Sequence, residues 1–206
     1  MPWGVIKRTY TIPEKKYNDE EGSILVDSSG SITLLNGLSL GTSATTRVGQ
    51  KIMIKSNHIK VFAVGPSFAA TPTVSSQLFR CLIVWDVQPN GATFSLSDLF
   101  QDASAGTATI SPLNMANSSR FKVLYDQRVI IHSQPVVTEL TIPPNFAHWI
   151  EKYQKMNLET HYADSNNGDI QDIRTGALFL VMVSDSAAAA NRIAATVYNR
   201  IRYTDN

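Results

Sequence analysis

The chain has 206 residues, with 18 Lys and Arg against 17 Asp and Glu, 43% hydrophobic residues, 17% charged residues and one cysteine. That length suits one domain able to bury its own core, and a single cysteine excludes an internal disulfide framework. The longest apolar run, Ala177–Val183, is far short of the ~20 residues of a membrane-spanning helix, so no membrane partner is expected. The N-terminus also lacks the basic-then-apolar layout of a signal peptide.

In chain order the elements read as strands. Ser31–Leu35 is short and is followed by Asn36-Gly37, a turn signal. Lys51–Val64 runs to Gly65-Pro66, and Leu78–Trp85 is nearly continuous apolar, as in a strand buried on both faces. Leu96–Phe100 reads as one helical turn capped by Ser95 or Ser97. Gly106–Ile110 is expected as a short edge strand, although Ser104–Asn117 equally suits a surface protrusion. Arg120–Ile131 alternates, and Lys152–Tyr162 places Gln154, Met156, Leu158, Thr160 and Tyr162 on one side. After the polar loop Asp164–Gly168 come Ile170–Arg174, Ala177–Val183, the loop tip Ala187–Ala190, and Ile193–Tyr203 with Arg192, Arg200 and Arg202 on its polar side. About eight strands with long loops fit an all-β, eight-stranded single jelly-roll sandwich, and a barrel fits the same count. No composition break marks a second domain.

Catalytic signatures are missing. The four histidines, His58, His132, His148 and His161, stand apart, without the paired spacing of a metal site. Cys81 lies in an apolar run and reads as inert core. Asp164–Asp172 offers alternating oxygens, but Thr175 at the twelfth position supplies no bidentate carboxylate for Ca²⁺, so a solvated turn is expected. No enzyme activity, cofactor or metal is expected.

Charge is laid out unevenly. Between Asp27 and Asp86 no residue is acidic, while Arg47, Lys51, Lys55, Lys60 and Arg80 are basic. Such a stretch is a candidate polyanion-facing surface. Strict alternation puts Lys51 and Lys55 on one strand face and Lys60 on the other, so the patch is expected to be partial.

Five phrases carry a resemblance: Arg47-Val48-Gly49-Gln50-Lys51-Ile52, Leu78–Asp86, Arg120–Asp126, Thr175–Asp185 and Arg200–Asp205. In order and spacing the sequence resembles the capsid proteins of small circular Rep-encoding single-stranded DNA viruses. The coats of small RNA and satellite viruses are a more distant likeness. The resemblance implies a jelly roll that assembles with itself into an icosahedral shell, often of sixty copies. It would be found in the virion, and in the host nucleus or cytoplasm before assembly. It maps strands B to I in order onto Lys51–Val64, Leu78–Trp85, Gly106–Ile110, Arg120–Ile131, Lys152–Tyr162, Ile170–Arg174, Ala177–Val183 and Ile193–Tyr203. Residues 1–30 are then the remnant of an N-terminal arm and 31–206 the shell domain. Family capsids begin with a long basic arm; here only Lys7, Arg8, Lys15 and Lys16 stand in that region, which suggests a removed arm and weakened genome binding. Contacts to single-stranded nucleic acid fall on these four residues and on Arg47, Lys51 and Lys55. A different class, a non-viral jelly-roll binding module of lectin or cytokine type, fits the same strand pattern and would form small closed oligomers.

Overall fold

The computed structural model describes residues 14–66, 76–134 and 146–205. Among the described residues nine strands form two antiparallel sheets: β1 (Lys15–Val26), β2 (Ser31–Leu34), β3 (Lys51–Val64), β4 (Ser76–Asp86), β5 (Phe121–His132), β6 (Ala147–Tyr162), β7 (Ile173–Thr175), β8 (Ala177–Ser184) and β9 (Ile193–Asp205). One sheet has the order β1-β9-β3-β6-β7 and the other β2-β8-β4-β5. Lettered B to I, and with the three-residue β7 set aside, this is B-I-D-G packed on C-H-E-F, the order of a jelly roll.

The fold class stands, but the lettering moves. Lys15–Val26 is not an arm: it is strand B, paired along its whole length with β9, so the sandwich begins at Lys15 rather than at residue 31. Its sequence, KKYNDEEGSILV, carries charges on both faces. Edge strands tolerate this pattern and use it to discourage further pairing, which is why periodicity did not reveal it. Lys51–Val64 is therefore strand D and Leu78–Trp85 lies in strand E, while Ala177–Val183 and Ile193–Tyr203 keep the letters H and I. Ile170–Arg174 divides between a 3-10 turn, Ile170–Asp172, and β7.

Gly106–Ile110 forms consecutive turns, not an edge strand. It belongs to a segment that covers the far side of the C-H-E-F sheet. Phe94 packs on Phe121 and Phe179 at 4.7 and 5.1 Å, and Leu96, Leu99, Phe100 and Ala108 join the core. The helical turn α1 (Leu96–Leu99) starts at Ser95, whose N–H donates to Asp98 Oδ2 at 2.8 Å. With this segment on one side and the first sheet on the other, every residue of β8 is buried. Cys81 is fully buried, and desolvation, helped by the charge of Asp126, pushes its thiol up to about 12; it is core.

Asn36 is a buried hub rather than a simple turn residue. Its Nδ2 donates to Thr160 Oγ1 and Gly176 O, its Oδ1 accepts from Leu178 N–H, and its carbonyl accepts from Tyr162 O–H. Every polar group of the side chain is satisfied across both sheets, the condition under which a buried amide specifies a core instead of weakening it.

Candidate nucleic-acid interface

The predicted basic residues separate into two sets. Arg47 and Lys16 are buried. Arg47 Nε donates to Leu38 O at 3.0 Å, Nη1 to Gly49 O at 2.8 Å, and Nη2 to Ser165 O at 2.6 Å and Asn167 O at 3.3 Å. Its guanidinium lies 4.3 Å from the centre of the Tyr162 ring. Lys16 Nζ donates to Thr46 O at 3.0 Å and pairs with Asp205 Oδ2 at 2.9 Å. Neither presents charge to solvent; both anchor the loop between β2 and β3. The Asp164–Asp172 loop is likewise shaped by Arg47, which holds two of its carbonyls.

Lys15, Lys51 and Lys55 reach the surface. Lys51 pairs with Glu159 at 2.7 Å, and Lys55 donates to Asn157 Oδ1 at 3.2 Å. Lys7 and Arg8 lie outside the described residues.

A β-bulge overturns the expected split of β3. Lys55 has no registered partner on either neighbour: against β9 it is the extra residue between the pairs Ile54/Tyr203 and Ser56/Arg202, while on β6 Met156 and Asn157 lie opposite it. One extra residue reverses the alternation that follows it. Buried positions thus run Ile52 and Ile54 before the bulge, then Ile59, Val61 and Ala63 after it. Lys51, Lys55, His58 and Lys60 consequently share the outer face of the B-I-D-G sheet.

Neighbouring strands extend that face in registered rows. Glu21, Tyr198, Lys60 and Glu151 form one; Asp19, Arg200, His58 and Tyr153 the next; Tyr17 and Arg202 then lead across Ser56 to Lys155. The sequence placed Lys60 on the wrong face and did not assign Lys155, Arg200 and Arg202 to this surface, where Tyr17, Phe62, Trp149, Tyr153 and Tyr198 are exposed among them. The polar side of β9 already showed Arg200 and Arg202; the interleaving of aromatics needed the register.

The carboxylates here are mostly engaged. Arg200 grips Asp19 with two hydrogen bonds of 2.5 and 2.6 Å, which hold that carboxyl below its usual range. His58 and Lys60 meet Glu151 at 2.8 and 3.4 Å, and the hydrogen bond from His58 leads in lowering it. Glu20 behaves oppositely. Its side chain is half-buried beside Asn199, and desolvation raises it to about 7 against a lesser opposing hydrogen bond from Asn18. Between about 4.5 and 7 the folded state binds more protons than the unfolded one, so stability falls as pH rises through that window. Glu20→Gln is expected to stabilise the unassembled subunit by about 2–3 kcal/mol at pH 8 and negligibly at pH 4. Urea unfolding midpoints at the two pH values measure this; an equal gain at both would exclude proton linkage.

The model of the family described as Geminivirus coat protein/nuclear export factor BR1 family matches residues 6–206. This chain belongs to that coat protein family. The capsid protein of Tomato pseudo-curly top virus is 26% identical over 180 residues, covering 83% of this chain and 74% of that protein. Among solved structures, a Desmodium yellow mottle tymovirus chain aligns with TM-score 0.34 and 11% identity over 100% of this chain and 95% of its own. An infectious bursal disease virus Gx strain structure aligns at 0.24 and 8%, over 99% and 42%. Neither overlap bears on the fold, which the strand order itself establishes. The geminivirus-type coat protein is a structural viral capsid subunit that assembles into multimers and resides in the virion, and the non-viral binding module falls away.

Proposed function

We propose that sixty copies of this coat protein close an icosahedral shell around single-stranded DNA, with the outer face of the B-I-D-G sheet holding the nucleic acid, after passage of the subunit through the host nucleus or cytoplasm. The role is structural, without catalysis. The observation that carries the reading is the Lys55 bulge, which gathers Lys51, Lys55 and Lys60 beside Lys155, Arg200 and Arg202 on one surface that no described segment covers. Phosphate contacts there act through counterion release and read no sequence. Lys15 extends the surface at the start of β1. Replacing Lys55, Lys155 and Arg202 together by Ala tests the reading by the ultraviolet absorbance ratio of purified particles over a salt series. A lower nucleic-acid content and a flatter salt dependence support it; unchanged content refutes it.

The loop covering the C-H-E-F sheet supplies the assembly contacts in this reading. Ile110 and Met115 are 69% and 76% exposed, apolar surface that contact with a neighbouring subunit would remove from water. Ile110→Asp with Met115→Asp is expected to raise the subunit concentration needed for assembly at least about tenfold, with the unfolding midpoint unchanged. Light scattering and electron microscopy over a concentration series measure it; normal particles would place the contacts elsewhere.

A further inference from the structure

The two sheets differ in how their far sides are finished. Loops of the chain itself cover the C-H-E-F sheet, whereas the B-I-D-G sheet leaves Tyr17, Phe62, Trp149, Tyr153 and Tyr198 between 40 and 52% exposed. On this face lies a concavity of about 730 Å³, bordered by β1, β9, β3 and β6 and lined in part by His58, Lys60, Trp149, Tyr198 and Arg200. That volume falls within the roughly 300–1,000 Å³ of sites that hold small organic groups.

Its electrostatics distinguish floor from rim. Inside, Arg200 is spent on Asp19 and Lys60 with His58 on Glu151, while Glu20 and Glu21 also line it. A phosphate gains little there. An uncharged aromatic ring gains the faces of Trp149 and Tyr198. At the rim, Arg202 and Lys155 form no ion pair with any described residue, and Lys55 stands exposed at the bulge. Phe62 against Trp149 at 6.1 Å and His58 against Tyr153 at 6.0 Å fix two aromatic pairs on either side of the row of Lys60 and Glu151.

We propose that this concavity seats unpaired nucleobases, stacked on Trp149 and Tyr198, while the backbone of the same strand runs over Arg202, Lys55 and Lys155. This rests on the reading of the face as the nucleic-acid surface and adds that bases, not phosphates alone, are bound. Duplex DNA hides its base faces and is therefore excluded from the stacking contribution, so the site selects single strands. Base-on-aromatic stacking tolerates every base and contributes on the order of 1–3 kcal/mol per base.

The test uses the full chain, a short oligothymidine, and an abasic strand of equal length and phosphate count, with binding read by fluorescence anisotropy. Oligothymidine is expected to bind at least about tenfold more tightly than the abasic strand, the equivalent of one stacked base. Trp149→Leu and Tyr198→Leu are each expected to reduce that preference and together to abolish it, with affinity for the abasic strand unchanged. Equal binding of the two strands by the unaltered protein, or a preference that survives both substitutions, would overturn base seating while leaving the phosphate reading intact. If neither strand bound, the underlying reading would fall as well. If the double variant changed only the sedimentation of the free subunit, the occupant would be a second copy of this chain and the proposal would be wrong.

Discussion

Arg47→Ala is expected to destabilise the unassembled subunit by about 3–5 kcal/mol, without the phosphate-contact loss that its position in a basic stretch suggests. Among the described residues the guanidinium has no carboxylate partner; four carbonyls, from Leu38, Gly49, Ser165 and Asn167, accept its hydrogen bonds, and the Tyr162 ring lies against its plane. Removing it orphans acceptors in two separate loops at once, and hydrogen bonds from a charged donor contribute about 1.5–3 kcal/mol each before water re-enters. At this chain length, roughly 2–4 °C of melting temperature accompanies each kcal/mol, so a fall of about 10 °C is expected. Arg47→Lys is expected to recover little, because three donors on a flexible stem do not reproduce a planar fork. Calorimetry of the free subunit at low and high salt measures both variants, and the loss is expected to be the same at each, since a buried contact is poorly screened. A variant that melted like the unaltered protein yet retained less nucleic acid would return Arg47 to the surface set.

Arg47 also shows where residue patterns stop being informative. A basic residue just before a strand reads as a surface charge, yet here a loop folds over it and uses it to satisfy backbone acceptors. Lys16 gives the same lesson: it sits on an edge strand whose polar sequence imitates an arm, and its ammonium closes on Asp205 and Thr46 O. The continuous apolar runs of β4 and β8 and the alternation of β5, β6 and β9 were legible, because burial of one or both faces leaves a period in the sequence. A bulge leaves none. Nothing about Lys55 announces that the register skips there, and only that skip brings Lys60 to the side of Lys51. The aromatic and basic platform was therefore written in the chain as separate residues on β1, β3, β6 and β9, and became a site only through the pairing of those strands.

Arg80→Met is expected to cost about 3–5 kcal/mol and to abolish assembly as well, which separates it from Arg47. Arg80 Nε and Nη2 donate to the two oxygens of Asp126 at 2.9 and 2.7 Å, and Nη1 donates to Ala108 O and Ser111 O at 2.9 and 2.8 Å. Its guanidinium stacks 4.6 Å from the centre of the Phe100 ring, and Arg128 Nε holds Thr109 O at 2.9 Å beside it. This cluster is what ties the loop carrying Ile110 and Met115 to the sheet beneath. Methionine keeps much of the side-chain length but leaves Asp126 without its bidentate partner and two loop carbonyls without donors. Breaking one side of such a pair is far costlier than replacing both by apolar groups. Arg80→Met combined with Asp126→Leu is therefore expected to regain part of the stability. It is not expected to regain assembly, because Ala108 and Ser111 still lack the group that positions their loop. Urea unfolding and light scattering on the two variants test this together. Recovery of particles along with stability would mean that the loop is held by its apolar contacts alone, and that the ion pair serves only the sheet.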